Sequence, residues 1–119
     1  MSKEARIALV DEFAHCVVAQ GQAITKGDAP SGNAFAKRYV AAFQTLRLQG
    51  DCSRDALAVL LSDPRAEVRV MAAAFLLRHC EAKVRAVLET EVMGGGMAAL
   101  GAAQALRRWK EGTWTLDPA

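Results

Sequence analysis

The chain has 119 residues, 52% hydrophobic and 24% charged, with a net charge of +2, which predicts one globular domain with its own core. Fifteen basic residues against thirteen acidic ones are too balanced to indicate a nucleic-acid or membrane partner by themselves. Much of the apolar share is alanine, the best helix former, and β-branched residues are sparse, so the composition favours packed helices over strands.

The cysteines and the first residues bear on the compartment. Cys16, Cys52 and Cys80 are an odd number at irregular spacing, which fits a reduced cytoplasmic protein better than a disulfide scaffold. Charged residues, including Asp11 and Glu12, interrupt any signal-peptide core or membrane span near the start of the chain. We therefore expect a cytoplasmic protein, although one delivered by another route would look the same.

The first two predicted helices span residues 3–26 and 33–49. In the first, apolar residues recur at spacings of three and four, as one buried face of a helix requires. Its predicted buried face consists of Ile7, Val10, Ala14, Val17, Gly21 and Ile24. The breaker-rich stretch at residues 27–33 predicts a loop, and Gly50 is predicted to end the second helix. The predicted buried residues of the second helix are Phe35, Tyr39, Ala42 and Leu46.

A short third helix is predicted at residues 53–61, with Asp51 or Ser53 as its N-cap. The boundary that follows it is sharp. The carboxylate of Asp63 can accept from the free amides of the next helix, and Pro64 suits a first turn in which no donor is needed. Both residues therefore predict that the next helix starts at residue 64.

The second half of the chain is predicted to form three more helices. The fourth, at residues 64–79, is apolar on every side through its middle, so we expect it to lie between other helices. The fifth, at residues 81–91, is predicted to bury Val84, Val87 and Leu88. The glycine run 94–96 separates it from the sixth, which ends near Lys110 with Gly112 as a C-cap. A short tail follows.

An internal repeat organises these helices. Residues 38–47 and 69–78 match as Arg, two apolar residues, Ala-Ala or its equivalent, three variable residues and Leu-Arg, and residues 102–107 keep the second half of the pattern. The Leu-Arg pairs begin at positions 46, 77 and 106, in steps of 31 and 29 residues. A step near 30 accommodates two short helices and two turns.

The repeat predicts an all-α fold, a right-handed stack of three antiparallel helical hairpins in a single domain. The hairpins lie at about residues 3–49, 53–80 and 81–111, and residues 112–119 form the tail. One hairpin cannot cover its own apolar faces, so hairpins stack side by side. Three hairpins are about the minimum for a stable stack.

The best-defined repeat, residues 61–76, resembles the HEAT-like helical repeat. The motif residues are Asp63 before the helix, Val68-Arg69, Ala72-Ala73 and Leu76. The whole chain also resembles a small bacterial family of uncharacterised HEAT-like proteins. That resemblance is carried by Gln22-Ala23, Gly27-Asp28, Asn33-Ala34, Trp109 and Gly112. It implies an α-α superhelix, in which Arg69 contacts a loop carbonyl or the Asp of a neighbouring hairpin. The period near 30 and the glycines at 94–96 depart from the HEAT pattern.

Arginines occupy equivalent positions of the repeats. Arg38 and Arg69 either form a row that binds an acidic surface, or each bridges to a loop carbonyl or to the Asp of a neighbouring hairpin, and for Arg69 the bridge is favoured. Basic residues also end the three second helices: Arg47, Arg78 and Arg107, with Arg108 and Lys110. Their attraction to the carbonyl ends of helices is a sufficient explanation. The alternative is a basic edge for an acidic protein or a nucleic-acid backbone.

No motif for catalysis or for cofactor binding is found. The adjacent pairs His15-Cys16 and His79-Cys80 are poor zinc chelates, because neighbouring residues on a helix point about 100° apart. The glycines at 94–96 lack the preceding strand and the following Lys-Ser/Thr of a phosphate loop. We therefore predict no catalytic residue, no metal, no cofactor and no enzymatic activity.

The predicted function is a non-catalytic protein-binding module, in a concrete form a bacterial immunity-type protein or a regulatory adaptor. The candidate contact residues are Lys37, Gln44, Arg78, Gln104, Arg108 and Trp114. Trp114 is predicted to fold back as a cap over the last hairpin, with an exposed interface anchor as the alternative. A nucleic-acid-binding protein with an arginine-rich edge is the second candidate. We expect no membrane partner, and a monomer or weak homodimer.

Overall fold

A computed structural model describes residues 1–117. The α-helices are α1 (Lys3–Thr25), α2 (Ala29–Leu48), α3 (Asp51–Asp55), α4 (Ala66–Leu76), α5 (Glu81–Val92) and α6 (Gly96–Glu111), and a 3₁₀ segment covers Ala56–Ser62. Since residues 1–117 contain no strand, the all-α prediction is confirmed. The chain divides into two compact units, Met1–Ala56 and Leu57–Ala119. The stack of three hairpins and the single domain stay predictions.

Helix α2 begins four residues earlier than predicted. The carboxylate of Asp28 accepts a hydrogen bond from the amide of Ser31 at 3.2 Å and so caps the helix. Pro30 fits the first turn, where its missing N–H leaves no hydrogen bond unmade. The prediction of a loop over residues 29–33 was therefore wrong, because the proline and the cap residue start a helix instead of breaking one. Hydrogen bonds from Ser31 also lower the pKa of Asp28.

Helices α1 and α2 pack against each other in the first unit. Phe13 and Phe43 are fully buried, and the ring of Phe13 meets that of Tyr39 edge-on with centroids 5.5 Å apart. Near the turn that joins the helices, Gly32 lies beside Ala23, while further along Arg38 holds Glu12. This order along the two helices is that of an antiparallel pair.

The buried face of α1 agrees only in part with the prediction. Its buried residues are Val10, Phe13, Ala14, Cys16, Val17 and Ala23, whereas Ile7, Gly21 and Ile24 are exposed. Phe13 and Cys16 shift the buried face around the helix, away from Ile7 and Gly21, and Ile24 lies in the last turn. On α2, Tyr39, Ala42 and Leu46 are buried as predicted, but Phe35 is only half-buried.

The predicted third helix is two short segments. Gly50, with a φ of 101°, precedes α3, and no side chain caps the helix. The proposed caps were therefore wrong: Asp51 instead accepts from Arg54 at 2.8 Å, and Ser53 is a buried residue inside α3. In the 3₁₀ segment, Leu57 and Leu60 are buried three residues apart, as residues on one side of a 3₁₀ helix must be.

Helix α4 is the central helix of the second unit. It starts at Ala66, so Pro64 lies outside it. The carboxylate of Asp63 accepts from the amide of Arg65 at 2.9 Å, one residue before the helix, and hydrogen bonds from Arg65 lower the pKa of Asp63. Buried residues occupy every side of the helix: Val68, Val70, Ala72, Ala73, Ala74, Phe75 and Leu76. Because α4 contacts both α5 and α6, its predicted position between helices is confirmed.

The last helix ends as predicted. Gly112 has a φ of 76°, in the left-handed region that favours glycine. Its amide bonds the carbonyl of Trp109 at 3.2 Å, and the amide of Thr113 bonds that of Arg108 at 2.9 Å. This pair of bonds is the Schellman motif. The motif turns the chain at the end of α6, so that residues 113–117 fold back towards α4.

Candidate functional site

The buried face of α6 is made of small side chains. Ala99, Ala102 and Ala105 are buried. Beside them Gly101 faces α4, where an added Cβ would lie 3.5 Å from Cγ1 of Val70. The distance between packed helices depends on the side chains at the contact, so these residues let α6 pack closely within the second unit. The packing of α6 thus depends on its alanine face.

The opposite face of α6 presents large apolar side chains to solvent. Met97 and Leu100 are 79% and 66% exposed, and Gln104 and Arg107 continue the same line at helical spacing. These four residues, here named the α6 stripe, line a shallow groove of about 390 Å³. Met93, 85% exposed, precedes the stripe at the end of α5. Helix α6 therefore buries three alanines and exposes Met97 and Leu100 on the opposite face.

A second groove, of about 540 Å³, runs between α5 and α6. Its lining residues are Arg85, Glu89, Leu106, Trp109 and Lys110. Arg85 already donates to Glu81 at 3.2 Å, and the remaining charges are of both signs. This groove consequently has a less distinct charge than the α6 stripe.

Arginines of this chain are mostly engaged with its own carboxylates. Six such pairs are Arg38–Glu12, Arg54–Asp51, Arg65–Asp63, Arg69–Glu91, Arg78–Asp117 and Arg85–Glu81. In contrast, the side chains of Arg107 and Arg108 form no ion pair with any carboxylate among residues 1–117, and both are exposed. The end of α6 is thus a local excess of positive charge that is open to solvent.

Arg69 links two parts of the second unit. Its Nη1 donates to the carbonyl of Asp63 at 2.8 Å, and its Nε donates to Glu91 at 2.6 Å. The hydrogen bond to Glu91 raises the pKa of Arg69. Arg38 likewise forms two hydrogen bonds to Glu12, at 2.9 and 3.1 Å. Arg69 thus makes the predicted contact with a loop carbonyl, whereas Arg38 pairs with a glutamate of the preceding helix, a partner that was not predicted.

The tail folds back on α4 through Trp114. The indole Nε1 donates to the carbonyl of Ala74 at 2.8 Å. That carbonyl is one of the last four of α4, which have no partner within the helix. The ring of Trp114 also meets Trp109 edge-on, with centroids 5.2 Å apart. This geometry matches the predicted cap and not the exposed anchor.

An ion pair with one buried partner lies at the end of the described chain. Asp117 is 1% exposed, and the partly exposed Arg78 donates from Nη2 to its carboxylate at 2.9 Å. Removal of Arg78 would take a charged donor away from a buried carboxylate, which lowers stability. Arg78, predicted as a contact residue, therefore has a structural task within the second unit.

The other predicted contact residues divide between the two units. Lys37 is exposed on α2, and Gln44 accepts from Arg47 at 2.9 Å on the same helix. Gln104 and Arg108 are exposed on α6. Of the predicted set, the structure brings only Gln104 into the α6 stripe.

Sequence reasoning missed Met97 and Leu100, and it named Arg107 only as part of the alternative basic edge. A signal was available, because Met97, Leu100, Gln104 and Arg107 share one face at spacings of three and four. The sequence shows equally that alanines line the opposite face of the same helix. Large apolar side chains are usually assigned to the core, and here the alanines form the core face instead.

The described residues include no candidate metal site. Among residues 1–117, no three His, Cys, Asp or Glu side chains are placed to hold a metal ion. Cys16 is buried, and burial, together with the charge of Glu12, raises the pKa of its thiol; Cys52 is exposed and Cys80 is partly buried. None of the helices within the same residues is long and apolar enough to cross a membrane. The absence of enzymatic activity stays a prediction.

Comparison of this chain with protein families, with curated proteins and with solved structures finds no match. The resemblance of residues 61–76 to a HEAT-like repeat therefore stays a prediction.

Proposed function

We propose that this chain is a non-catalytic protein-binding module that contacts its partner through the α6 stripe. The observation that carries the proposal is the arrangement of α6, which packs by alanines while Met97 and Leu100 face solvent. Packing of the core does not require large side chains at these two positions. Grouped exposed apolar residues beside polar ones are typical of binding surfaces.

The energetics of the α6 stripe favour a protein partner. Full burial of a leucine or methionine side chain contributes about 1.5–3 kcal/mol each, so Met97 and Leu100 can supply a central apolar contact. Methionine is flexible and adapts to the shape of a partner. Gln104 and Arg107 extend the contact with polar groups, as at the rim of an interface.

A bacterial immunity-type or regulatory adaptor protein of the cytoplasm is the concrete form that we propose, because a small all-helical protein suits that role. The second candidate is a nucleic-acid-binding protein, favoured by the unpaired Arg107 and Arg108. Phosphate contacts alone would leave Met97 and Leu100 exposed to water, so we prefer the protein partner. No retention of duplex or single-stranded DNA at about 50 mM salt would remove the second candidate.

The experiment compares two leucine-to-lysine variants in affinity purification from cells. Leu100→Lys places a charge in the α6 stripe. Leu48→Lys, on α2, is the matched control because Leu48 is 74% exposed. Both variants should unfold within a few degrees of the parent, since surface substitutions are usually within about 0.5 kcal/mol.

We expect the parent and Leu48→Lys to retain the same protein, and Leu100→Lys to lose it. Quantitative mass spectrometry of the retained proteins measures this. Equal retention by Leu100→Lys and the parent, with both folded by circular dichroism, would contradict the proposed function.

A further inference from the structure

The α6 stripe has two chemically different ends. Its N-terminal end is apolar, with Met97 and Leu100, and the exposed Met93 precedes it in the turn after α5. Its C-terminal end is cationic, with Arg107 in the stripe and Arg108 beside it. Ten residues separate Met97 from Arg107, which corresponds to about 15 Å along a helix at a rise of about 1.5 Å per residue. A partner must match both ends at this distance.

The positive charge at this end is not used within the described chain. Six other arginines are held by carboxylates of the protein. Glu111 lies three to four residues from Arg107 and Arg108 on the same helix, yet among residues 1–117 neither arginine bridges to it. The two guanidinium groups are therefore available to carboxylates of a partner, with a planar fork that suits bidentate binding.

The shape of the surface suits a helix. The groove is shallow and follows one helix for about three turns, and side chains on a helix project at the same spacings of three, four and seven residues. An amphipathic helix in a groove is a recurrent mode of recognition, with apolar anchors one and two turns apart. A helix of the same length can thus place apolar residues on Met97 and Leu100 while it reaches Arg107.

The direction of the partner helix follows from electrostatics. The C-terminus of α6 carries a partial negative charge, and the N-terminus of any helix carries a partial positive one. An antiparallel partner sets these opposite ends side by side. It also places the first turn of the partner opposite Arg107, and acidic residues are intrinsically favourable in a first turn.

We propose that the partner of the α6 stripe is an acidic amphipathic helix that lies antiparallel to α6, with acidic residues in its first two turns and apolar residues two to three turns later. The inference rests on the proposed function and adds the chemistry and the direction of the partner. An anionic lipid surface would match the same two ends and is the competing occupant that the experiment must exclude.

The probe is a displayed library of 18-residue helical peptides with randomised positions on one face, selected against the full chain. We expect the enriched peptides to carry Glu or Asp near their N-termini and Leu, Met or Ile towards their C-termini. Binding of one enriched peptide is then measured by fluorescence anisotropy. Arg107→Glu should weaken it at least about fivefold, and Leu100→Lys about tenfold or more. Leu48→Lys should leave it unchanged.

A charge-swapped peptide separates a specific pairing from general attraction. When the acidic residues of the peptide are changed to Lys, the parent should lose binding and Arg107→Glu should recover part of it. Peptides that are neutral, basic or in the reversed order would overturn the inference. If they still depend on Leu100, the proposed function survives.

Two further outcomes are decisive. Selection of no peptide, together with Leu100-dependent binding to vesicles of anionic lipid, would show a lipid surface as the occupant and overturn the inference. Enriched peptides that bind Leu100→Lys and Arg107→Glu as tightly as the parent would overturn the inference and the assignment of function to the α6 stripe together.

Discussion

Replacement of Trp114 by phenylalanine tests whether the tail stabilises the second unit. The substitution removes the indole N–H that donates to the carbonyl of Ala74 at 2.8 Å but keeps a ring beside Trp109. That carbonyl belongs to the last turn of α4, where the helix itself supplies no donor. A lost hydrogen bond that leaves a partly buried acceptor unpaired costs about 1–2 kcal/mol.

Two related variants calibrate this value. Trp114→Ala also loses the edge-on contact with Trp109, about 0.5–1.5 kcal/mol, and the buried apolar area, so we expect a total loss of about 3 kcal/mol. Trp109→Phe is the matched control. The Trp109 side chain is partly buried as well, but within residues 1–117 its indole N–H makes no hydrogen bond, so the control loses ring area alone.

The assay is urea unfolding followed by circular dichroism and by the fluorescence of the remaining tryptophan. A loss of about 1 kcal/mol corresponds to roughly 3–6 °C in Tm for a chain of this size. Trp114→Phe should lie clearly below Trp109→Phe in free energy of unfolding. Equal stabilities of the two variants would refute the role assigned to the indole of Trp114.

Three further substitutions or conditions have expected effects on stability. Gly21→Ala should stabilise by about 0.5–1 kcal/mol in thermal unfolding, because a Cβ there meets nothing within 4 Å; destabilisation would contradict the helical packing described. Gly112→Ala should cost about 1 kcal/mol, because its φ is 76°, and an unchanged Tm would contradict the Schellman motif. The pKa of Asp28 is lowered below its usual 3.8 by hydrogen bonds from Ser31, so its cap stabilises the fold above that pH and is lost as pH falls through the lowered value. The Tm of Asp28→Asn, which keeps an acceptor, should fall less between pH 5 and about pH 2.5 than the parent's; equal decreases would refute the cap.

Sequence reasoning located most of the helices but misplaced the starts of α2, α3 and α4. The buried middle of α4 and the glycine at the end of α6 follow from local rules that tertiary contacts do not change. The start of α2 was wrong because Asp28 and Pro30 have two meanings. Both occur in turns, and both also begin helices, one as a cap and one in the first turn. Whether these residues form a turn or begin a helix depends on the conformation of the chain on either side of them.

The candidate surface was predicted less well than the fold. The sequence indicated Gln104, which lies in the α6 stripe, and Arg78, which instead holds buried Asp117. That ion pair joins residues 39 positions apart, and no local pattern reveals such a distant partner. The exposure of Met97 and Leu100 likewise depends on which face of α6 packs against α4. The packed side includes Gly101, which lies close to Val70.

On α6, the alanines that pack in the core and the residues of the α6 stripe lie on different faces of the helix. Substitution of Ala102 by a larger residue would disturb the packing of α6, since the position has no exposed surface. Substitution of Leu100 or Arg107 should leave the packing of the second unit unchanged, because both side chains are exposed. Under the proposed function, changes along the α6 stripe alter the choice of partner while the fold that presents the stripe stays the same.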